Sequence, residues 1–188
     1  MRCNADLMNA WHDIPVQSSD LFPALIEIPA GSKTKFELDK PTGLLKVDRV
    51  LYGSVHYPWN YGFIPRTYCG DKDPLDVLVL GQAIVPPLSV MRAKPIGVMR
   101  MVDQGDADDK IIAVHADDPS YQHFQDIKEL APHILDEITN FFEIYKTLEH
   151  KKVEVNGMFG RSEAVRIIDE AIELYKKLET KLKADVIR

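Results

Sequence analysis

The placement of proline and glycine is the feature that most restricts how this chain can fold. All 12 prolines lie at or before Pro132, and 8 of the 10 glycines precede residue 106. Proline interrupts helices, and both residues favour turns between strands. The first two thirds of the chain are therefore predicted to form strands and turns, and the remainder to form helices. This order of elements indicates an α+β fold and not an alternating βαβ fold.

Short apolar runs separated by turn residues predict the strands of a barrel. Pro41, Thr42 and Gly43 separate two runs, which is the pattern of a hairpin. Pro95 and Gly97 interrupt the longest run, as expected for a bend or bulge in a curved sheet. Five or six short strands of this kind fit a small closed barrel. The predicted strands are Leu25–Ile28, Lys33–Asp39, Leu44–Tyr52, Val77–Leu80, Val90–Val102 and Ile111–His115.

Beyond Pro119 the apolar residues recur at three- and four-residue intervals, which is the period of a helix. In the first predicted helix this stripe consists of Ile134, Ile138, Phe141, Phe142, Tyr145 and Leu148. The second predicted helix begins near Ser162, a candidate N-cap, and its stripe consists of Ile168, Ile172, Tyr175, Leu178 and Leu182. Both stripes are expected to pack on the barrel.

Three carboxylates and a proline precede an apolar strand in the sequence DKDPLD, residues 71–76. Two unit charges about 4 Å apart repel by roughly 4 kcal/mol at an effective dielectric constant of about 20. If Asp71, Asp73 and Asp76 converge, a cation must therefore lie between them. Pro74 stiffens the loop that would hold it. The alternative is an ordinary acidic turn, in which Asp side chains accept backbone hydrogen bonds.

Spacing excludes two known types of acidic site. An EF-hand loop that began at Asp71 would need glycine at its sixth position and glutamate at its twelfth, whereas the chain has Asp76 and Gln82. A nucleophile of the haloacid dehalogenase type should follow an apolar strand, whereas this acidic pair precedes one.

A second acidic cluster lies in DQGDADDK, residues 103–110, between two predicted strands. Taken alone it fits a polar hairpin loop, and most such loops are only that. Together with DKDPLD, it gives two carboxylate clusters, neither balanced by a nearby run of positive charge. Paired clusters of hard oxygen ligands fit a site for several Mg²⁺ ions, because Mg²⁺ takes a few carboxylates, keeps several waters and binds substrate phosphates.

Lysine, arginine and tyrosine residues supply groups that can bind phosphate oxygens. Arginine adds a geometry in which two hydrogen bonds hold one phosphate. Each of these residues, taken singly, also fits a structural role as an exposed strand charge or a half-buried aromatic. The candidate set is Lys35, Arg49, Tyr57, Tyr61, Arg66, Tyr145 and Lys146.

Composition argues against several classes of function. Lys and Arg total 23 against 29 Asp and Glu, a net charge of −6, so general attraction to nucleic acid or an anionic membrane is not expected. No apolar run is long enough to span a membrane. Cys3 and Cys69 lack metal-ligand spacing, and residues 1–16 lack the pattern of a signal peptide. We therefore expect a cytoplasmic protein without a disulfide framework.

An ordered series of motifs gives the chain a close resemblance to the soluble family I inorganic pyrophosphatases, from about Leu25 to Lys152. The series is IEIPAG, KFELDKPTG, VDRVLY, HYPWNYGFIPRT, DKDPLDVLVL, RAKPIGVMRMVDQGDADDK, IKEL and FFEIYK. Its order and extent make the resemblance specific, whereas no short acidic motif alone would do so. The sequence DQGDADDKIIAV and the upstream NAWHDIP are most similar to plant-type members.

The resemblance implies roles for individual residues of this sequence. Asp73 matches the carboxylate that accepts a proton from the attacking water, and Tyr61 lies near that nucleophile. The residues that match metal-binding positions are Glu37, Asp71, Asp76, Asp103 and Asp108, with Asp76 bridging two ions. The residues that match substrate-binding positions are Lys35, Arg49, Tyr57, Lys110, Tyr145 and Lys146. Glu27 is expected to lie behind these groups, and Lys72 to point away from its acidic neighbours in an extended loop.

The activity that the resemblance implies is hydrolysis of inorganic pyrophosphate to two phosphates by a metal-activated water, without a covalent intermediate. The implied cofactor is Mg²⁺, several ions per site, with Mn²⁺ or Zn²⁺ as alternatives. The implied fold is an OB-like barrel of five strands flanked by two main helices. Residues 1–20 are expected to form an N-terminal extension and residues 21–188 one catalytic domain, with the barrel at about 22–118 and the helices at about 132–184.

Two functions from other classes stay open at this point. An OB-type barrel can bind nucleic acid, but that needs a basic groove with stacking aromatics, whereas the expected face is rich in aspartate. A protein that only binds divalent metal or phosphate would need no proton acceptor, so turnover distinguishes it. Pyrophosphate is the expected partner. Formation of a homo-oligomer is left open, because Asn140 and Ile144 differ from the histidines that hexameric bacterial relatives often carry in this helix.

Overall fold

The helices and strands follow the order expected from proline and glycine, except that a strand, Val153–Gly160, lies between the two long helices in the part predicted to be helical. In this computed structural model, which describes residues 9–186, twelve elements occur in chain order. They are α1 (Ala10–Asp13), β1 (Phe22–Ile28), β2 (Thr34–Asp39), β3 (Leu44–Val50), β4 (Asn60–Phe63), β5 (Asp76–Leu80), β6 (Ser89–Asp103), β7 (Asp106–Ala107), β8 (Lys110–His115), α2 (Pro132–Ile144), β9 (Val153–Gly160) and α3 (Arg161–Val186). Two single turns of 3-10 helix lie at Ile127–Glu129 and Thr147–Glu149.

Five of the strands close into a barrel in the order β1, β4, β5, β8, β6 and back to β1. The pair β5–β8 is parallel, and the other four pairs are antiparallel. Two long helices, α2 and α3, flank this barrel. The predicted α+β fold with a five-stranded closed barrel is therefore confirmed.

The predicted hairpin is confirmed as β2 and β3, but these strands lie outside the barrel. They form a separate two-stranded sheet. Its side chains Leu44, Val47 and Val50 are exposed. The fifth strand of the barrel is instead β4, whose short sequence was not predicted as a strand.

The long strand β6 bends where the sequence predicted it. The register of β6 against β8 shifts between Pro95 and Gly97. A Cβ atom at Gly97 would lie 2.6 Å from the carbonyl oxygen of Phe159 in β9. Glycine at this position therefore lets β9 approach β6 closely enough to pair with it.

Strand β5 divides the core into two parts. Leu78 and Leu80 belong to a cluster that includes the buried face of α2, whereas Val77 and Val79 belong to a cluster that includes α3. All four side chains are fully buried. The prediction that this run is a strand buried on both faces is thus confirmed.

Two predicted details of the helices are wrong. Leu148 does not continue the stripe of α2, because α2 ends at Ile144 and the Leu148 side chain is 58% exposed in the following turn. Ser162 is not the N-cap of α3, because the helix begins one residue earlier. The Asp126 carboxylate, 35 residues away in the chain, accepts the hydrogen bond from the Arg161 N–H at 3.0 Å.

Two further findings concern the rest of the described chain. No helix among residues 9–186 combines the length and apolar character needed to cross a membrane. Cys69 forms no disulfide within the described residues, and Cys3 lies outside them.

The crossing of β1 and β4 gives a test of the barrel. A Cβ atom at Gly62 would lie 1.8 Å from the carbonyl oxygen of Leu25 and 2.8 Å from the Cα of Ile26. Gly62→Ala should therefore force the two strands apart and lower the free energy of unfolding by about 2–4 kcal/mol. Gly70→Ala is the matched control, since a Cβ there meets nothing within 4 Å. Chemical denaturation measures both, and equal small losses would contradict this account of the crossing.

Candidate active site

Strand direction brings the two acidic segments of the sequence together. β5 and β8 run parallel, so Asp76 and Lys110, the first residue of each, are register partners at one edge of the barrel. β6 runs antiparallel to β8, so its last residue, Asp103, reaches the same edge. The loop 71–76 enters β5 there as well. The predicted site therefore lies at this end of the barrel.

A cleft of about 510 Å³ opens over this edge. Twelve of the thirteen predicted site residues line it: Lys35, Glu37, Tyr57, Tyr61, Asp71, Asp73, Asp76, Asp103, Asp108, Lys110, Tyr145 and Lys146. The structure does not place Arg49 in this lining. Arg49 Nε donates to Glu149 Oε1 at 2.7 Å, and its Nη1 donates to Asp48 Oδ2 at 2.5 Å. The Nη2 group of Arg49 is buried without a hydrogen-bond partner among the described residues.

Lys110 forms the floor of the cleft. Its side chain is 2% exposed, and its Nζ donates to Asp76 Oδ2 at 2.5 Å and to the Asp108 carboxylate. Burial alone would lower the pKa of Lys110, but attraction to these two carboxylates raises it overall. For Asp108, burial is the largest influence and raises the pKa of its carboxyl group, while Lys110 opposes that shift. Lys110 is therefore a permanent positive charge between the two acidic segments.

Tyrosines from the barrel and from the end of α2 form one wall. Tyr61 OH donates to Asp76 Oδ2 at 2.5 Å, which fixes the orientation of that carboxylate. The Tyr57 and Tyr61 rings lie 5.3 Å apart, and both pack with α2, Tyr57 against Phe141 and Tyr61 against Phe142. Burial raises the pKa of Tyr61 well above its usual value. The phenol therefore keeps its proton and acts as a donor.

The loop before β5 holds two carboxylates in different environments. The Asp73 N–H donates to Asp71 Oδ1 at 3.0 Å, and the Cys69 N–H donates to the Asp73 carbonyl at 2.9 Å, which makes a tight turn. Burial raises the pKa of Asp71 to about 6. The Asp73 side chain is 56% exposed and forms an ion pair with Lys40. Lys72 has a φ of 71°, so the expectation of an extended backbone at this residue is wrong.

Side chains of the hairpin β2–β3 and of Lys146, which follows α2, form the remaining wall. Lys35 Nζ donates to Glu37 Oε1 at 2.5 Å. Lys46 Nζ lies 3.7 Å from Glu37 Oε2. Lys146 pairs with the Asp103 carboxylate. Burial nevertheless lowers the pKa of Lys146, and its pairing with Asp103 opposes this shift.

The donor atoms of the cleft fit hard divalent cations. Nine carboxyl groups and five lysines line it, together with no histidine or cysteine side chain. Among residues 9–186, however, no three His, Cys, Asp or Glu side chains converge closely enough to form a ligand set. The physical reason is that lysine ammonium groups lie between the carboxylates. Asp103 Oδ1 is buried without a hydrogen-bond partner in this part of the chain, and such an oxygen is a natural metal ligand.

Several lining residues were not predicted from the sequence, among them Trp11, Lys40 and Lys46. Trp11 belongs to the segment NAWHDIP, and Lys40 belongs to the motif KFELDKPTG. Both motifs carry the family resemblance, but neither indicates that these two residues line the site. Their contact joins residues 29 positions apart, and no periodicity or spacing in the sequence indicates it.

Comparison with known sequences identifies the relatives of this chain. Residues 24–176 match the family described as Inorganic pyrophosphatase. The chain is 56% identical over 169 residues to Soluble inorganic pyrophosphatase 2 of Chlamydomonas reinhardtii, covering 89% of this chain and 88% of the relative. It is 58% identical over 167 residues to Soluble inorganic pyrophosphatase 3 of Arabidopsis thaliana, covering 88% of this chain and 77% of the relative.

Comparison with solved structures agrees with the sequence relatives. The inorganic pyrophosphatase from Thermus thermophilus matches with a TM-score of 0.86 and 37% identity, over 90% of this chain and 99% of that chain. The enzyme from Helicobacter pylori matches with a TM-score of 0.84 and 42% identity, over 88% and 99% of the two chains.

Glu27, expected behind the contact residues, lies buried at the base of the cleft. Its Oε1 accepts a hydrogen bond from the Leu38 N–H at 2.6 Å, so it links β1 to the hairpin strand β2. Burial raises the pKa of Glu27 to about 8 from a usual value of 4.5. The folded protein therefore keeps this proton at neutral pH.

This shift predicts how stability depends on pH. Between pH 4.5 and pH 8 the unfolded chain loses the Glu27 proton while the folded protein keeps it, so the wild type loses stability as pH rises through that window. Glu27→Gln keeps the acceptor oxygen but cannot titrate. The stability of Glu27→Gln relative to the wild type should rise from pH 5 to pH 8 by on the order of a few kcal/mol and then level off.

Chemical denaturation in the presence of a chelator measures this difference at each pH. Glu143→Gln, at an exposed position of α2, is the matched control and should give an offset that does not change with pH. A constant offset for Glu27→Gln as well would contradict the assignment of a raised pKa to Glu27.

Proposed function

The chain belongs to the inorganic pyrophosphatase family, and from this membership we propose that its cleft hydrolyses inorganic pyrophosphate to two phosphate ions. The observation that carries the proposal is the meeting of two kinds of group in one cleft. Carboxylates able to bind hard cations lie beside lysines and tyrosines able to bind phosphate oxygens. Phosphate release from pyrophosphate, with and without Mg²⁺, tests it.

The charge of the cleft supports a requirement for divalent metal. Carboxyl groups outnumber lysines in the lining, and all five lysines are already paired with carboxylates. Pyrophosphate, a polyanion, would be repelled by such a surface unless cations neutralise it. The proposed ligands are Glu37, Asp71, Asp76, Asp103 and Asp108, for Mg²⁺ or alternatively Mn²⁺ or Zn²⁺. When bound, Mg²⁺ lowers the pKa of a coordinated water and offsets charge on the phosphate groups.

The basic and phenolic side chains are proposed to hold the substrate. Lys35, Lys110 and Lys146 contribute ammonium groups to the cleft lining, and Tyr57 and Tyr145 add hydroxyl groups. Arg49, the register partner of Lys35 in the hairpin, has one buried N–H group without a hydrogen-bond partner among the described residues, and this group is proposed to donate to a phosphate oxygen when substrate binds. These donors stabilise charge on the departing phosphate.

Asp73 is proposed as the proton acceptor. Its carboxylate is the most exposed of the loop, and a single lysine contacts it, so one oxygen stays available. The water oxygen forms a bond to phosphorus, the bridging P–O bond breaks, and the water proton passes to Asp73. Tyr61 holds Asp76 in position beside this reaction. No covalent intermediate with the protein is needed.

The binding partners of the protein and its location in the cell are proposed from the cleft lining and from the names of the relatives. Pyrophosphate is the proposed substrate, and the acidic lining gives no support to nucleic-acid binding. The relatives are named soluble enzymes, which supports the proposal of a cytoplasmic protein that does not bind membranes. Self-association into a homo-oligomer is also proposed, and light scattering tests it.

The first consequence concerns the metal. In excess chelator, phosphate release should fall to the background rate, because the cleft carries too much negative charge to admit pyrophosphate alone. Re-addition of Mg²⁺ should restore it. A melting curve in chelator is the control and should show that the protein stays folded. Full turnover in excess chelator would refute the proposed requirement.

The second consequence separates two neighbouring carboxylates. Asp73→Asn should lower kcat by ~10²–10⁴, the usual effect of removing a general base, while Mg²⁺ affinity changes little. Asp76→Asn should weaken Mg²⁺ binding and catalysis together, because Asp76 is a proposed metal ligand and also balances the charge of Lys110. Mg²⁺ titrations by calorimetry and steady-state kinetics decide the matter. Equal losses of Mg²⁺ affinity in the two variants would overturn the roles assigned to them.

A further inference from the structure

The segment Asn9–Asp13 forms a clasp at the mouth of the cleft. It comprises the single helical turn α1 and its N-cap, Asn9, whose side chain accepts from the Trp11 N–H at 3.0 Å. Trp11 is 3% exposed, and its ring lines the cleft. His12 Nδ1 lies 2.7 Å from Tyr175 OH, which anchors the clasp to α3.

On one side the clasp binds the loop that carries Asp71 and Asp73. Trp11 Nε1 donates to the Thr67 carbonyl at 2.9 Å, and the Arg66 N–H donates to the Trp11 carbonyl at 2.8 Å. Thr67 Oγ1 in turn accepts from the Leu75 N–H at 2.8 Å. The clasp therefore holds the two ends of this catalytic loop through Thr67.

On the other side the clasp binds the tip of the hairpin β2–β3. Asn9 Nδ2 donates to the Lys40 carbonyl at 2.9 Å, and Lys40 Nζ lies 5.3 Å from the centre of the Trp11 ring. From that position Lys40 Nζ donates to the Lys72 carbonyl at 3.1 Å and to Asp73 Oδ1. One ammonium group thus contacts the aromatic ring, the loop backbone and the proposed proton acceptor together.

We infer that Trp11 and Lys40 are positioning residues for Asp73: the indole face of Trp11 holds the Lys40 ammonium group, which fixes one Asp73 oxygen and leaves the other free to accept a proton. This inference rests on the proposed function. The hairpin forms a sheet of its own, so Lys40 needs a partner outside the hairpin to stay in place. The clasp supplies it through a cation–π contact and a backbone hydrogen bond. Small errors in the position of a general base lower the rate strongly.

Lys40→Met tests the lysine with little change in side-chain length. It should lower kcat about tenfold, the effect expected on losing one charge-assisted hydrogen bond, and leave KM for pyrophosphate unchanged. Lys40→Arg, which keeps the charge and can lie over an aromatic ring, should recover most of the rate. Lys72→Met is the matched control, because it removes an exposed positive charge from the same loop but keeps the carbonyl that Lys40 contacts. Its kinetics should equal those of the wild type.

Trp11 is tested through its dependence on Lys40. Trp11→Phe keeps an aromatic face but loses the hydrogen bond to Thr67, whereas Trp11→Leu loses both. We expect kcat to fall in the order wild type, Trp11→Phe, Trp11→Leu. The difference in kcat between Trp11→Phe and Trp11→Leu should nearly vanish when Lys40→Met is already present, because the aromatic face acts through the lysine. Should Trp11→Leu fail to fold, Trp11→Met, which also lacks an aromatic face, takes its place in the cycle.

A measurement that does not use turnover checks the contact itself. The chain has two tryptophans, so Trp59→Phe leaves Trp11 as the only one. In that background Lys40→Met should change the emission of Trp11, and Lys72→Met should not. Unchanged emission in both variants would refute the contact.

The outcomes separate this inference from its alternatives. A rise in KM at constant kcat in Lys40→Met would make Lys40 a substrate contact and overturn the positioning role. Lower melting temperatures with unchanged kcat and KM for the folded variants would show that the clasp only stabilises the fold. That result would also overturn the positioning role. If the wild type itself fails to release phosphate from pyrophosphate, the proposed function fails first, whatever the Trp11 emission shows.

Discussion

The ammonium group of Lys110 is the charge on which the arrangement of the cleft depends. Asp76 and Asp108 come from different segments, and their carboxylates would repel each other across the floor of the cleft if nothing lay between them. Removing an ion from water costs several kcal/mol, so a buried lysine needs those same carboxylates. The ammonium group therefore offsets the repulsion between the carboxylates, and the carboxylates offset the cost of burying the ammonium group. Because Lys110 is the first residue of β8, the barrel itself fixes where the acidic groups meet.

The architecture assigns the parts of the site to elements of different rigidity. Asp76, Lys110 and Tyr61 stand on barrel strands that are buried on both faces and hydrogen-bonded to neighbours on each side. Four of the groups proposed to hold phosphate stand outside the barrel: Lys35 and Arg49 on the hairpin β2–β3, and Tyr145 and Lys146 at the end of α2. Elements outside a barrel can shift without breaking its hydrogen bonds. A pyrophosphatase needs this combination, because ions require fixed ligands whereas substrate must enter and two products must leave.

The sequence was informative where a residue's environment is local or its motif is specific. Alternating and helical periodicity located most strands and both long helices, and the ordered motifs located twelve lining residues of the cleft. The failures have one cause, which is dependence on distant parts of the chain. Asp126 caps α3 from 35 residues away, and β4 and β9 are strands because β1, β5 and β6 offer edges to them. Arg49 pairs with Glu149, 100 residues away, and does not line the cleft. This pairing and the contact of Trp11 with Lys40 depend on the same long-range packing.

The pairing of every lining lysine with a carboxylate links the two kinds of ligand that the proposed function requires. A cation that takes over the charge of Asp76, Asp103 or Asp108 weakens the hold of these carboxylates on Lys110 and Lys146. The lysines then become available to phosphate oxygens. Conversely, a polyanion that attracts the lysines leaves the carboxylates in need of a cation. Binding of metal and of pyrophosphate is therefore reciprocal under the proposed function, since a coupling free energy acts equally on both partners. Under the proposed function such a cleft would exclude an anion that arrives without its cation, even though the cleft contains the lysines that would bind it.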